Sequence, residues 1–239
     1  MACERIGLLG VHSPRTTAYL RAMLEHQLPP TCIILLSHPQ QRLLPGQTSA
    51  DPASILAMAE RAGIAAQMIP TMDVNDPRVA TVVASRPEST FLYSGAGGAI
   101  LRQPLLSCGK RFLHIHPGLV PHYRGSTPMY YSILKEGSCG ASAIFLTEQI
   151  DRGPVIRTKR YPLPEDGASI DYVYDPDIRA DLLVEVLEEY RRTGTLSCTE
   201  QSPEQGETYY IVHPVLKHLA ILACEAARMP AGVRQGSEP

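Results

Sequence analysis

Apolar residues fall along this chain in two rhythms, short unbroken runs and longer stretches at helical spacing. Ile6–Val11 and Cys32–Leu36 are continuous apolar runs, as expected of strands covered on both faces of a parallel sheet. Between them, Tyr19, Leu20, Met23 and Leu24 are spaced as one face of a helix over Thr16–Gln27, entered through His12-Ser13-Pro14-Arg15. Ser37–Pro52 is rich in Pro, Gln and Ser and reads as a loop. The alternation then resumes, with a helix over Ala53–Ala62 stopped by Gly63, a short strand over Ile64–Pro70, a polar turn over Asp73–Pro77 and a helix over Arg78–Ser85. A strand over Thr90–Tyr93 runs into Ser94-Gly95-Ala96-Gly97-Gly98.

The second half continues with a strand over Phe112–Ile115, a loop punctuated by Pro and Gly through Gly125, and a helix over Pro128–Lys135 stopped near Gly137. Ser142–Thr147 and Val155–Lys159 are two strands joined through Asp151-Arg152-Gly153-Pro154. A long amphipathic helix spans Pro176–Arg192, with Ile178, Leu182, Leu183, Val186, Leu187 and Tyr190 on one side. The repeated strand and helix order predicts an α/β fold, a doubly wound, mostly parallel sheet flanked by helices. Residues 1–192 are expected to form the catalytic domain. Residues 193–239 form a short extension packing back on that domain, through a strand and short helix over Gly206–His218, or at a dimer interface. The last residues, Pro230–Pro239, are expected to fray.

Composition narrows the function. The chain has 239 residues, with 22 basic and 24 acidic side chains and a formal charge of −2, so no positive surplus exists to bind nucleic-acid phosphates. Six cysteines occur without a CxxC pair, and no apolar run approaches the length of a membrane span. The expectation is a cytoplasmic protein with reduced thiols, acting on a small molecule, with no nucleic-acid or membrane partner.

The chemistry concentrates between Leu113 and Ile156. Alternation on a strand puts His114 and His116 on one face, and Asp151 follows 35 residues after His116. Two imidazoles and a carboxylate can thus meet at the end of a sheet where open α/β folds hold ligands. Read alone, such a trio suits general acid/base work or a metal-dependent hydrolase using His114 and His116.

The run His116-Pro117-Gly118-Leu119-Val120-Pro121-His122-Tyr123-Arg124-Gly125, followed by Asp151-Arg152-Gly153-Pro154-Val155-Ile156, resembles the signature of the 10-formyltetrahydrofolate-dependent formyltransferases, which act on glycinamide ribonucleotide, methionyl-tRNA or amino sugars. The resemblance is clearest from Phe91 to Ile156. It implies His116 and Asp151 as catalytic residues and 10-formyltetrahydrofolate as cofactor. The family's asparagine, two residues before the histidine, is replaced here by His114, which can substitute as a donor only if the nitrogen facing the developing oxyanion carries a proton.

The resemblance further implies a pterin-binding loop at Tyr93, Ser94, Gly95, Ala96, Gly97 and Gly98, faced by Thr147, Glu148, Gln149 and Ile150. For the acceptor, His12, Ser13 and Arg15 at the first loop, with Arg124 and Gly125, are the candidates. The tRNA-acting relatives carry a basic C-terminal domain, for which the residues after Arg192 leave no room. The implied activity is transfer of a formyl group to a primary amine of a small molecule, an amino sugar or a specialised-metabolite amine. The alternatives are a 10-formyltetrahydrofolate hydrolase, the metal-dependent hydrolase, and a non-catalytic ligand-binding relative. No bound metal is expected.

Overall fold

The structure is a computed structural model, which describes residues 5–38, 54–202 and 205–228. The expected loop after His38 and the expected frayed terminus fall almost wholly or wholly outside them.

The chain alternates strand and helix as expected: β1 (Ile6–Val11), α1 (Pro14–Glu25), β2 (Ile33–Leu36), α2 (Ile55–Arg61), β3 (Ala66–Ile69), α3 (Pro77–Ser85), β4 (Thr90–Ser94) and β5 (Arg111–His116). Side chains cap the helix starts: Ser13 Oγ accepts from Thr16 N and Asp76 from Arg78 N, each ahead of a Pro whose missing N–H costs nothing there. Then follow β6 (Tyr123–Gly125), α4 (Pro128–Glu136), β7 (Cys139–Phe145), β8 (Val155–Tyr161), α5 (Asp175–Thr193), β9 (Glu207–Tyr209) and α6 (Pro214–Arg228).

Seven strands form one sheet in the order β3-β2-β1-β4-β5-β7-β8. The pairings from β3 to β5 are parallel, and β7 and β8 are added antiparallel. This is the doubly wound, mostly parallel α/β sheet expected. The strand order reverses at β1, flanked by β2 and β4, so the carboxyl ends of β1, β4 and β5 open a crevice there. Alternate residues of β1 feed opposite layers. Leu8 packs with Tyr19, Leu183 and Leu187 under α1 and α5, while Leu9 packs with Val79 and Val83 under α3.

Three features depart from the sequence reading. β7 begins at Cys139, because Gly140 lies under Leu119, where a Cβ would come within 2.4 Å of Leu119 Cγ. α5 is preceded by a wide helical turn over Ile170–Tyr174. The C-terminal segment meets the main sheet at a single antiparallel bridge, Thr199 to Val155 of β8, and otherwise packs beside it. β9 pairs in parallel with β6, inside what reads locally as a loop, and α6 packs on α4. Val212, Ala220 and Cys224 share a core with Met129, Ile133 and Ile178. A three-residue strand whose partner lies 84 residues away has no local periodicity to announce it.

Candidate functional site

β5 carries the trio. Leu113 and Ile115 point into the layer beneath α1 and α5, which leaves His114 and His116 on the other face at the carboxyl end of the strand, their ring centroids 6.4 Å apart. His116 is 2% exposed. Its Nε2 lies 2.7 Å from the Tyr123 carbonyl, and since a carbonyl only accepts, Nε2 carries the proton. The other nitrogen, Nδ1, faces Asp151 Oδ2 at 3.4 Å.

Asp151 sits in the left-handed region at φ 51°, a conformation that short acidic side chains tolerate. Its Oδ2 accepts from the Gly125 amide at 2.8 Å, and its own carbonyl accepts from Gln201 Nε2 at 2.8 Å. Gln201 in turn accepts from Arg124 Nε and Nη2 at 3.1 and 2.8 Å. Arg124 is fully buried, also donates to the Gln205 carbonyl, and lies outside the cavity. Its sequence reading as an acceptor-binding residue is therefore corrected: an arginine in a loop reads as a solvent-side ligand, but here its donors are spent tying the C-terminal segment to the loop that holds Asp151.

His114 donates from Nδ1 to the Tyr93 carbonyl at 3.3 Å. Burial, then the nearby charges of Arg179, Arg15 and His116, push its pKa well below 6.5. A neutral His114 with its proton on Nδ1 keeps a bare lone pair on Nε2. The donor role expected of an asparagine replacement gives way to that of a hydrogen-bond acceptor. The same shift bears on stability. Unfolded His114 takes up a proton near pH 6.5 while the folded residue resists it, so its contribution is full above that pH and declines as pH falls below it. The thermal midpoint of the protein is expected to drop between pH 7.5 and 5.5 by more than that of His114→Asn, measured by calorimetry.

A cavity of about 550 Å³ opens over the trio. One wall is Tyr93 and Gly95–Ile100 after β4, and the opposite wall is Leu146, Thr147, Gln149, Ile150 and Asp151. Ideal Cβ atoms at Gly97 and Gly98 would meet nothing within 4 Å, so their backbone is open to a ligand. Two backbone-lined walls with apolar Leu101, Leu146 and Ile150 between them fit a flat, polar-edged ring such as a pterin. Ser94 and Glu148 do not line the cavity. Ser94 is buried with its hydroxyl bonded to Arg15 and Thr16, and Glu148 accepts from Gln103 Nε2. Of the first-loop candidates only Arg15 lines the cavity: Ser13 is spent as a helix cap and His12 points to solvent. Gly125 lines it, as do Thr208–Ile211 of the C-terminal segment, where Tyr209 stacks on Tyr123 at 5.5 Å.

Two residues escaped the sequence reading. Gln201 carries no local signal. Arg179 does, because it occupies the position on α5 that continues the apolar stripe of Leu182, Leu183, Val186 and Leu187, and it is 2% exposed. A charge on a buried stripe needs a partner or a purpose.

His114, His116 and Asp151 each bring a donor atom within 4.8 Å of the others, a set that can ligate a metal. The guanidinium groups of Arg15 and Arg179 beside His114 oppose a dication there. No helix among the described residues is long and apolar enough to cross a membrane.

Comparison with known proteins places the chain beside formyltransferases. A family model described as formyl transferase matches residues 96–175. A methionyl-tRNA formyltransferase from Chloroflexus aurantiacus is 35% identical over 147 residues, covering 59% of this chain and 45% of the relative. The chain spans less than half the length of the curated relatives it matches. A sugar N-formyltransferase from Shewanella superposes with a TM-score of 0.58 at 18% identity, covering 92% of this chain and 87% of that one. A phosphoribosylglycinamide formyltransferase from Streptococcus pneumoniae gives 0.58 at 16% identity, covering 79% and 99%.

Proposed function

We propose that the chain is a formyltransferase, as the family match over residues 96–175 supports, and that it transfers a formyl group from 10-formyltetrahydrofolate to a primary amine of a small molecule, an amino sugar or a specialised-metabolite amine. The observation that carries the reading is the pair His116 and Asp151 at the floor of a cavity walled by the Gly95–Gly98 backbone and by Thr147–Asp151. The sugar and phosphoribosylglycinamide formyltransferases of the same fold act, as their names state, on small molecules.

When bound, 10-formyltetrahydrofolate supplies the activated formyl group. Tyr93, Gly95, Ala96, Gly97 and Gly98 on one side, with Thr147, Gln149 and Ile150 on the other, would hold its pterin. His116 has its Nε2 proton fixed on the Tyr123 carbonyl, so only Nδ1 exchanges a proton, and a proton there is shared with Asp151 Oδ2. That pair is the proton donor for the nitrogen left behind and steadies negative charge developing beside it. A primary ammonium must lose a proton before it can attack. The free amine then donates a hydrogen bond to the His114 Nε2 lone pair, which orients it, while the burial and the arginines that keep His114 neutral leave the lost proton to solvent.

Two results test this reading. Calorimetric titration with 10-formyltetrahydrofolate should show saturable binding, and a folded protein that binds none would overturn it. His114→Asn should keep that binding and lower the turnover of formyl transfer about 10²-fold, the cost of misplacing the attacking amine. An unchanged or faster variant would instead make the amide the better residue and His114 a bystander.

A further inference from the structure

Positive charge at the inner end of the cavity exceeds negative charge. Arg179 from α5 donates through Nε to Tyr19 Oη at 3.1 Å and through Nη1 to Asp175 Oδ2 at 3.1 Å, but its buried Nη2 has no partner. Arg15 donates through Nε to Ser94 Oγ at 3.0 Å and through Nη2 to the Gly95 carbonyl. Among the described residues no carboxylate lies within ion-pair distance of it. Both arginines line the cavity, and Asp175 is the one carboxylate paired with either. The hydroxyl of Tyr93 is also buried without a partner, and burial pushes its pKa up to about 12, so it is a neutral donor. Asp151, the other carboxylate lining the cavity, is held by His116 and the Gly125 amide, so Arg15 and Arg179 have between them one carboxylate, Asp175, whose Oδ1 is itself buried without a partner.

We infer that this inner end is a carboxylate pocket, and that the acceptor amine carries an acid group close to its amino group, as a small amino acid does. The inference rests on the formyl-transfer reading and narrows it, against an uncharged amino sugar. Arg15 is partly exposed to the cavity and makes the direct contact, with Arg179 behind it. The placement follows from β4. Arg15 is bonded to Ser94 and Gly95, and His114 to the neighbouring Tyr93, so an acid group held on Arg15 leaves an amino group a few bonds away beside His114. The pterin carries no carboxylate and the cofactor's own lie on its glutamate tail, beyond the benzoyl group, so an acid group at Arg15 is assigned to the acceptor, with free formate and that tail as the competing anions.

The test uses the whole protein, 10-formyltetrahydrofolate and matched amines, a panel of small amino acids and their primary amides. The acids should be formylated with at least tenfold higher kcat/KM than the amides. In Arg15→Gln that ratio should collapse tenfold or more, and Arg15→Lys should restore part of it. Arg179→Lys keeps the charge and serves where a neutral residue at that buried position fails to fold. Equal use of acids and amides, or a ratio unmoved by Arg15→Gln, would overturn the inference. Acetate supplies a readout that does not need catalysis: it should raise the thermal midpoint of the wild-type protein and not that of Arg15→Gln. If no amine is formylated although the cofactor binds, the formyl-transfer reading falls while acetate protection still reports the pocket. Acetate protection without acid preference would assign the pocket to free formate and overturn its assignment to the acceptor.

Discussion

His116→Ala lowers the turnover of formyl transfer by roughly 10² to 10⁴-fold while 10-formyltetrahydrofolate still binds, as steady-state assay and calorimetry on one preparation would record. The size of the effect follows from how the ring is held. Its Nε2 proton is committed to the Tyr123 carbonyl, so the imidazole cannot turn over, and Nδ1 stays against Asp151. Alanine removes the imidazole that links the cavity to the Asp151 carboxylate. The rest of the binding surface is backbone at Gly95–Gly98 and Thr147–Asp151, which the substitution does not touch. A variant that binds the cofactor and turns over normally would remove His116 from the chemistry.

Gly125→Ala is expected to destabilise the fold by about 2 to 4 kcal/mol and to weaken activity in the fraction that remains folded. Gly125 has φ 90°, a region closed to side chains, and an added Cβ would lie 2.1 Å from the Tyr209 carbonyl across the β6–β9 pair. Its amide also donates to Asp151 Oδ2. One methyl group therefore pries the C-terminal segment from β6 and loosens the carboxylate that faces His116. Chemical denaturation gives the stability loss. A variant as stable as the wild type would mean that the β6–β9 pairing contributes nothing to the fold.

That coupling explains what could be read from the sequence and what could not. The β1-to-β5 alternation was legible because β1 and β2 are unbroken apolar runs and the helices between the strands start at their own caps, Ser13, Ser54 and Asp76, all local signals. His114 and His116 were legible because strand alternation alone puts them on one face. β6 was not, since Tyr123-Arg124-Gly125 acquires its structure from residues 207–209. Arg124 and Gln201 failed for the same reason: their roles are set by bonds to each other across 77 residues. The proton state of His114 was open in the sequence, because the arginines that keep it neutral come from α1 and α5. Arg179 was hidden in an amphipathic helix, although its place on the apolar stripe of α5 marked it.

The central claim is best tested with 10-formyltetrahydrofolate carrying an isotope-labelled formyl carbon, incubated with the protein and the panel of small amines and followed by NMR. The account predicts that the label appears in a new formamide on an amine, and that His116→Ala abolishes its appearance. Label released only as free formate, with every amine left unlabelled, would contradict it and make the protein a hydrolase of the formyl cofactor.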